Sequence, residues 1–299
     1  KVQAQLAQVY ALKGNADSRP EGIKMGWQES LERLRRAVRG NDEDIDLAGT
    51  ALLLAGLERN ENCLDKYHAY LGELVADIKA HTTAVSDLAA RIASLRKVIF
   101  DDHGFSGDNT TYDDFQNANL MNVIDRRRGI PVSLGIICIH ASRGQGWDTD
   151  GINFPSHFLI SLQVSGERAF VDPFNKAQRL TEADLRQRLK NVSKRKHGVD
   201  FSDYHGMENK TILLRLQNNI RTRAQQAGDF HRARRVVETM SILTDNAAVF
   251  RLELATLKAK TGELRSARQE VEALLDDPLA DVIHEQAWLI LKQLKSRLH

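Results

Sequence analysis

Cysteine is nearly missing from this chain. Two thiols, Cys63 and Cys138, occur in 299 residues. Both fall in apolar helical patterns, which marks them as small buried hydrophobes rather than a disulfide framework. That usage suits a reducing compartment, and a cytoplasmic location is expected. No apolar run reaches the ~18 residues of a membrane span, and no signal-peptide pattern opens the chain. The first residue is Lys1 rather than Met, so a short native N-terminus is expected to precede it. Charge is almost balanced, at +2, which leaves no strong field for nucleic acid or a membrane surface. The basic clusters Arg126–Arg128, Lys194–Lys196 and Arg232–Arg235 then read as solvated faces or partners of carboxylates. Metal and nucleotide signatures are also absent. There is no HExxH or CxxC, and no P-loop or GxGxxG follows a strand. His103 and His140 have no second ligand at helical spacing. The Asp- and Asn-rich stretch Asp101–Asn119 lacks the ligand order of an EF-hand and reads as a long ordered loop closed by Asx turns. No metal and no cofactor are expected.

What is present centres on Asn122–Asn175. Gly129-Ile130-Pro131 stops one element and starts the next, because Pro is tolerated in the first helical turn. Val132 to Ala141 is apolar almost all round, the pattern of a buried helix. After the Gly144-Gln145-Gly146 break, His157–Val164 alternates, with Phe158, Ile160, Leu162 and Val164 on one face. Ser165-Gly166 is a turn signal, and Arg168–Asp172 returns. A two-residue turn there pairs Val164 with Glu167, so facing numbers sum to 331. Asp172 then faces Leu159 and lies one diagonal step from His157, roughly 5–8 Å away. A helix N-terminus, a His on one strand and an Asp on the next have the order nucleophile, base, orienter.

The blocks GFSGD (104–108), NLMNVIDRRRGIPVSLGIICI (119–139), GINFPSHFLI (151–160) and VDPFN (171–175) resemble the SirB-type transglutaminase-like proteins of bacteria. The resemblance covers most of the chain and is densest from Phe100 to Asn175. It implies an α+β, predominantly helical fold: a papain/transglutaminase-like core with a small antiparallel sheet, followed by tetratricopeptide-like helix pairs. In active members of that fold a Cys opens the buried helix, and His and Asp come from the following strands. His157 and Asp172 match the last two. The nucleophile position falls near Ser133, which is not Cys, and Ser156 stands where Gly is usual.

Before this core, Trp27, Leu31, Leu34 and Val38 mark one amphipathic helix. Gly40-Asn41-Asp42 ends it, and Ile45–Leu57 is strongly apolar. Leu64, Tyr67, Leu71, Leu74 and Ile78 mark a third helix; Leu88, Ile92, Leu95 and Ile99 mark a fourth. Residues 1–25 are polar and read as an arm or loose helix. After the core, Thr181 and Asp184 form a helix-start signal, and Lys190–His205 reads as a linker. Gly228 and Gly262 lie 34 apart, each after Ala or Thr and before an acidic residue. At the same offset Leu216 matches Phe250, Ala233 matches Ala267 and Val237 matches Val271. That period is the tetratricopeptide signature, and Asp281–Leu298 reads as a capping helix. The expected division is 1–99, an N-terminal helical layer packed on the core; 100–204, the core; and 205–299, the repeats.

Two functions follow. Without a thiol nucleophile, the core is expected to bind a protein or peptide partner in the groove near His157, with the repeats as a second surface. The alternative is a hydrolase or acyl-transferase using Ser133, His157 and Asp172. The helix dipole cannot turn Ser133 into an alkoxide, so His157 would have to take its proton.

Overall fold

The structure is a computed structural model and describes residues 26–59, 64–82, 87–155, 157–192, 204–244 and 247–298. The N-terminal arm, Cys63, Ser156, the Lys194–Lys196 cluster and most of the expected linker lie outside the described residues. The fold is α+β and mostly helical, with a small antiparallel sheet.

Helix α1 (Trp27–Ala37) buries Leu31 and Leu34. Helix α2 (Leu47–Arg59) is apolar all round and buried over most of its length. Helix α3 (Asp65–His81) buries Tyr67, Leu71, Leu74 and Ile78 at the 3.6-residue period that the sequence carries. Helix α4 (Leu88–Leu95) starts at Asp87, whose carboxylate accepts the Ala90 N–H at 2.7 Å. The expected fourth helix does not end there or stay regular. It continues as a π-helical segment, Arg96–Asp102, which buries Val98, Ile99 and Phe100. Such widening is rare and is invisible to a 3.6-residue pattern.

The Asp101–Asn119 stretch is ordered by its carboxylates. Asp108 accepts the N–H groups of Thr110 and Thr111 at 3.0 and 2.8 Å, and Asp114 accepts that of Gln116 at 2.9 Å. The stretch contributes β1 (Ser106–Gly107), which pairs in parallel with β2 (Arg128–Gly129). Asn119 caps α5 (Leu120–Arg126) by accepting the Asn122 N–H at 3.1 Å. Helix α6 (Pro131–Arg143) then runs through the middle of the molecule, with Pro131 at its first position and every residue from Pro131 to Ile139 buried.

The sheet has four strands in the order β3-β4-β5-β6: Asp148–Phe154, His157–Val164, Glu167–Asp172 and Gln178–Leu180. The expected hairpin is β4–β5. Val164 pairs with Glu167 and Ile160 with Val171, so the register is the one read from the turn. Ser165 and Gly166 have φ of 51° and 87°, the pair of positive values that defines a type I′ turn and matches strand twist. The sequence reading omitted β3 and β6. Phe158, Ile160 and Leu162 face α6 and the main core, but Leu159 is equally buried on the other side with Ile152, Phe154, Leu180 and Leu185. Each such large side chain contributes about 1.5–3 kcal/mol on burial.

Helix α7 (Glu182–Val192) opens with a reciprocal box. The Thr181 N–H donates to Asp184 at 2.8 Å, and the Asp184 N–H donates to the Thr181 hydroxyl at 3.2 Å. It extends three residues into the stretch read as linker. Beyond it come α8 (Asn209–Gln226), α9 (Phe230–Ile242), α10 (Ala247–Lys260), α11 (Leu264–Leu275) and α12 (His284–Leu298). The breaks fall at Gly228 and Gly262, with φ of 73° and 92°, a conformation that side chains disfavour. Helix α8 belongs to the main core through Ile212, Leu213, Leu216 and Ile220, whereas α10, α11 and α12 share a separate apolar cluster. No helix among the described residues is long and apolar enough to cross a membrane.

Candidate functional site

Three elements meet at the site: the first turn of α6, the start of β4 and the end of β5. The sheet register brings His157 and Asp172 together, with His157 Nε2 at 3.3 Å from Asp172 Oδ2. Asp172 is completely buried. Its Oδ1 accepts the backbone N–H groups of Phe174 and Asn175 at 3.0 and 3.3 Å. Its Oδ2 accepts the Asn175 side-chain amide at 2.8 Å and the Arg188 guanidinium at 2.9 Å. Burial pushes this carboxyl's pKa up, but the His157 hydrogen bond, the Asn175 amide and the charges of His157 and Arg188 outweigh it. The carboxyl is held below its ordinary value and stays ionised. Arg188, on α7, is a member of the site that the sequence reading missed. Its only available signal was the capping box that sets the helix's start and hence which face Arg188 occupies.

Ser133 lies at the third position of α6 and is completely buried. Its hydroxyl is turned onto the backbone. It accepts the Ile130 N–H at 3.1 Å, and the carbonyls of Asn117 and Ile130 stand at 2.8 and 3.0 Å as acceptors for its one proton. The Asn117 carbonyl also accepts the Ile130 N–H at 3.4 Å. Asn117 is itself fixed, donating to the Thr111 carbonyl at 2.6 Å and accepting from Arg126 at 3.1 Å. Arg126 also pairs with the buried Asp108 at 3.0 Å. Burial would raise the pKa of Asp108, but its bonds from Thr111, Thr110 and Arg126 hold it far below the usual range. The start of α6 is thus locked to the preceding loop from inside.

His157 lines a small open cleft with about 50 Å³ of space for water-sized groups. On α6 its wall is Ile130, Pro131 and Val132; Tyr112, Phe158, Arg215 and Asn219 complete it. Tyr112 packs edge-on to Phe174 at 5.8 Å, and Arg223 donates to the Tyr112 carbonyl at 3.0 Å. Arg215 and Asn219 come from α8, a contribution that no spacing in the sequence announces. Cys138 is fully buried two turns along α6, and burial pushes its thiol pKa well up.

Among the described residues, Glu73, Asp77 and His103 offer ligand atoms within 4.8 Å of one another. A search by helical spacing about His103 misses this group, because the two carboxylates lie a turn apart on α3 and His103 follows the π-helical segment. Both ring nitrogens of His103 already have protein partners, Tyr70 at 2.7 Å and Asp77 at 2.8 Å.

The profile of the transglutaminase-like superfamily matches residues 65–218. That is just over half of the chain, and the chain belongs to this superfamily. A UPF0162 protein of Xylella fastidiosa is 29% identical over 214 residues, covering 69% of this chain and 74% of its own length. A UPF0162 protein of Vibrio cholerae is 37% identical over 138 residues, 45% of this chain and 51% of that one. The mouse F-box only protein 21 is 26% identical over 144 residues, 45% of this chain but 22% of its own.

Proposed function

We propose that this is a SirB-type, cytoplasmic bacterial protein whose transglutaminase-like core binds a protein or peptide instead of turning it over. The observation that carries the reading is the state of Ser133. A nucleophile must present its oxygen to substrate and its proton to a base. The Ser133 hydroxyl is buried and faces two backbone carbonyls and the Ile130 N–H, while the cleft at His157 meets α6 at Pro131 and Val132. Neither of those side chains carries a nucleophilic atom. Ser133 then acts as a helix cap, and Asp172 and His157 as a polar pair that holds the strands. The alternative, acyl transfer or hydrolysis by Ser133, His157 and Asp172, requires the first turn of α6 to reopen.

In this reading residues 1–99 are a helical layer, 100–204 the core and 205–299 tetratricopeptide-like repeats. Support for the last comes from the 34-residue offset and from helix breaks at both of its glycines. The relatives from Xylella and Vibrio support the bacterial assignment. Capture from a bacterial lysate tests the reading, using the intact chain and an Asn219→Trp variant whose ring fills the cleft. A partner retained by the first and lost by the second is expected. Turnover of peptide or ester substrates that disappears in His157→Ala would contradict it.

A further inference from the structure

Arg215 is a cation in the cleft, and among the described residues no carboxylate pairs with it. Its guanidinium donates to the side-chain oxygen of Asn153 and lies 5.6 Å over the Phe158 ring. Other arginines are matched differently: Arg188 to Asp172, Arg126 to Asp108, Arg221 to Glu253, Arg143 to Asp150 and Arg223 to Asp113. Among the described residues Arg215 makes no such pair. Burial lowers its pKa, with Tyr112 opposing, so the environment penalises a charge that it does not neutralise. A partly buried charge of this kind is normally paired.

The facing wall has the same sign. It is the first turn of α6, a 13-residue helix. Pro131 has no N–H, those of Val132 and Ser133 have no intrahelical acceptor, and the helix dipole places partial positive charge there. His157, backed by Asp172, lines the same space. A guanidinium and a positive helix end therefore converge on one open cleft, with Asn219 and Tyr112 beside them.

We propose that this cleft is a carboxylate-binding site, in which Arg215 pairs with the anion against the first turn of α6. The inference rests on the binding-groove reading and names the chemistry of its ligand. A guanidinium presents two parallel N–H donors that match a carboxylate's two oxygens. With about 50 Å³ of space for water-sized groups, the cleft is far smaller than a pocket for a whole drug-sized ligand. It fits an end group, either the C-terminus of a peptide or a small free acid.

The test is a backbone-amide NMR titration of the intact chain with three probes: N-acetyl-glycylglycine, its C-terminal amide, and acetate. Saturable shifts at Val132 and Ser133 with the free-acid dipeptide, in the millimolar range and absent with the amide, are expected. Tighter binding of the dipeptide than of acetate assigns the site to peptide termini; equal binding assigns it to small acids. Arg215→Gln should weaken the dipeptide roughly tenfold or more. Asn219→Asp serves if that variant fails to fold. It sets a carboxylate one turn from Arg215 on α8 and should compete with the ligand to a similar extent. Equal binding of acid and amide would overturn the carboxylate assignment while leaving the groove intact. Silence at Val132 and Ser133 with every probe, or undiminished affinity in both variants, would overturn the site. The lysate capture with Asn219→Trp reports on the groove separately.

Discussion

Replacing Asp172 with alanine removes the acceptor on which the site's polar groups converge. Two backbone N–H groups lose bonds worth about 0.5–1.5 kcal/mol each. Arg188 and His157 lose a charged partner, and removing one member of a buried pair costs about 3–5 kcal/mol. Their side chains are 28% and 29% exposed, so both recover some hydration, and the lower end, about 3 kcal/mol, is the working figure. Asp172→Asn keeps an oxygen for the Phe174 and Asn175 N–H groups but loses the charge and sets an NH2 donor against the Asn175 amide and the Arg188 guanidinium. Its cost should be about 2 kcal/mol. His157→Ala removes the long hydrogen bond to Asp172 at a partly exposed residue, and loss of that bond should cost about 0.5–1.5 kcal/mol. At about 2–4 °C per kcal/mol, thermal melts followed by circular dichroism should fall by roughly 6–12 °C for Asp172→Ala, with the other two variants following in that order. The pH dependence has a definite sign. The folded-state pKa of Asp172 is depressed, so its stabilisation is complete above the unfolded value near about 3.9 and is lost as pH falls through the lower folded value. The gap between wild type and Asp172→Asn should therefore close only in strong acid. Asp172→Ala melting with wild type, or His157→Ala costing as much as Asp172→Ala, would refute the reasoning.

Ser133→Ala should cost about 0.5–2 kcal/mol by urea denaturation, because it strips a buried cap from Ile130; a neutral result would mean that the cap is dispensable. Gly135→Ala places a methyl 2.3 Å from the Phe158 ring. It should destabilise by about 1–3 kcal/mol and shift the NMR signals of His157, which adjoins that ring in sequence. Ala233→Leu overpacks a fully buried position between α8 and α9, at about 1–3 kcal/mol in the same assay. Residues 205–299 expressed alone should be only partly folded, since α8 buries Ile212, Leu213 and Leu216 in the main core; a cooperative melt of that fragment would argue otherwise.

The parts legible in the sequence were those governed by local chemistry. The β4–β5 register followed from a two-residue turn and period-2 alternation. The start of α7 followed from Thr181 and Asp184, and the breaks in the C-terminal helices from Gly228 and Gly262. Strand β3 was hidden because Asp148-Thr149-Asp150-Gly151 has turn composition, and β6 because three residues carry no period. The π-helical turn at Arg96–Asp102 left the apolar pattern almost unchanged. For the site, His157 and Asp172 were within reach of one hairpin's geometry. The orientation of Ser133 was not, because it depends on the Asn117 carbonyl arriving from 16 residues upstream. Arg188 and Arg215 enter from helices whose docking is purely tertiary.

Ser133 is either a nucleophile or a cap. Incubation of the native chain with a serine-reactive phosphonate, followed by peptide mass spectrometry, puts that to the test. No adduct at Ser133 is predicted, because its oxygen is buried and bonded to the backbone of Ile130 and Asn117. Stoichiometric labelling of Ser133 that disappears in His157→Ala would contradict it.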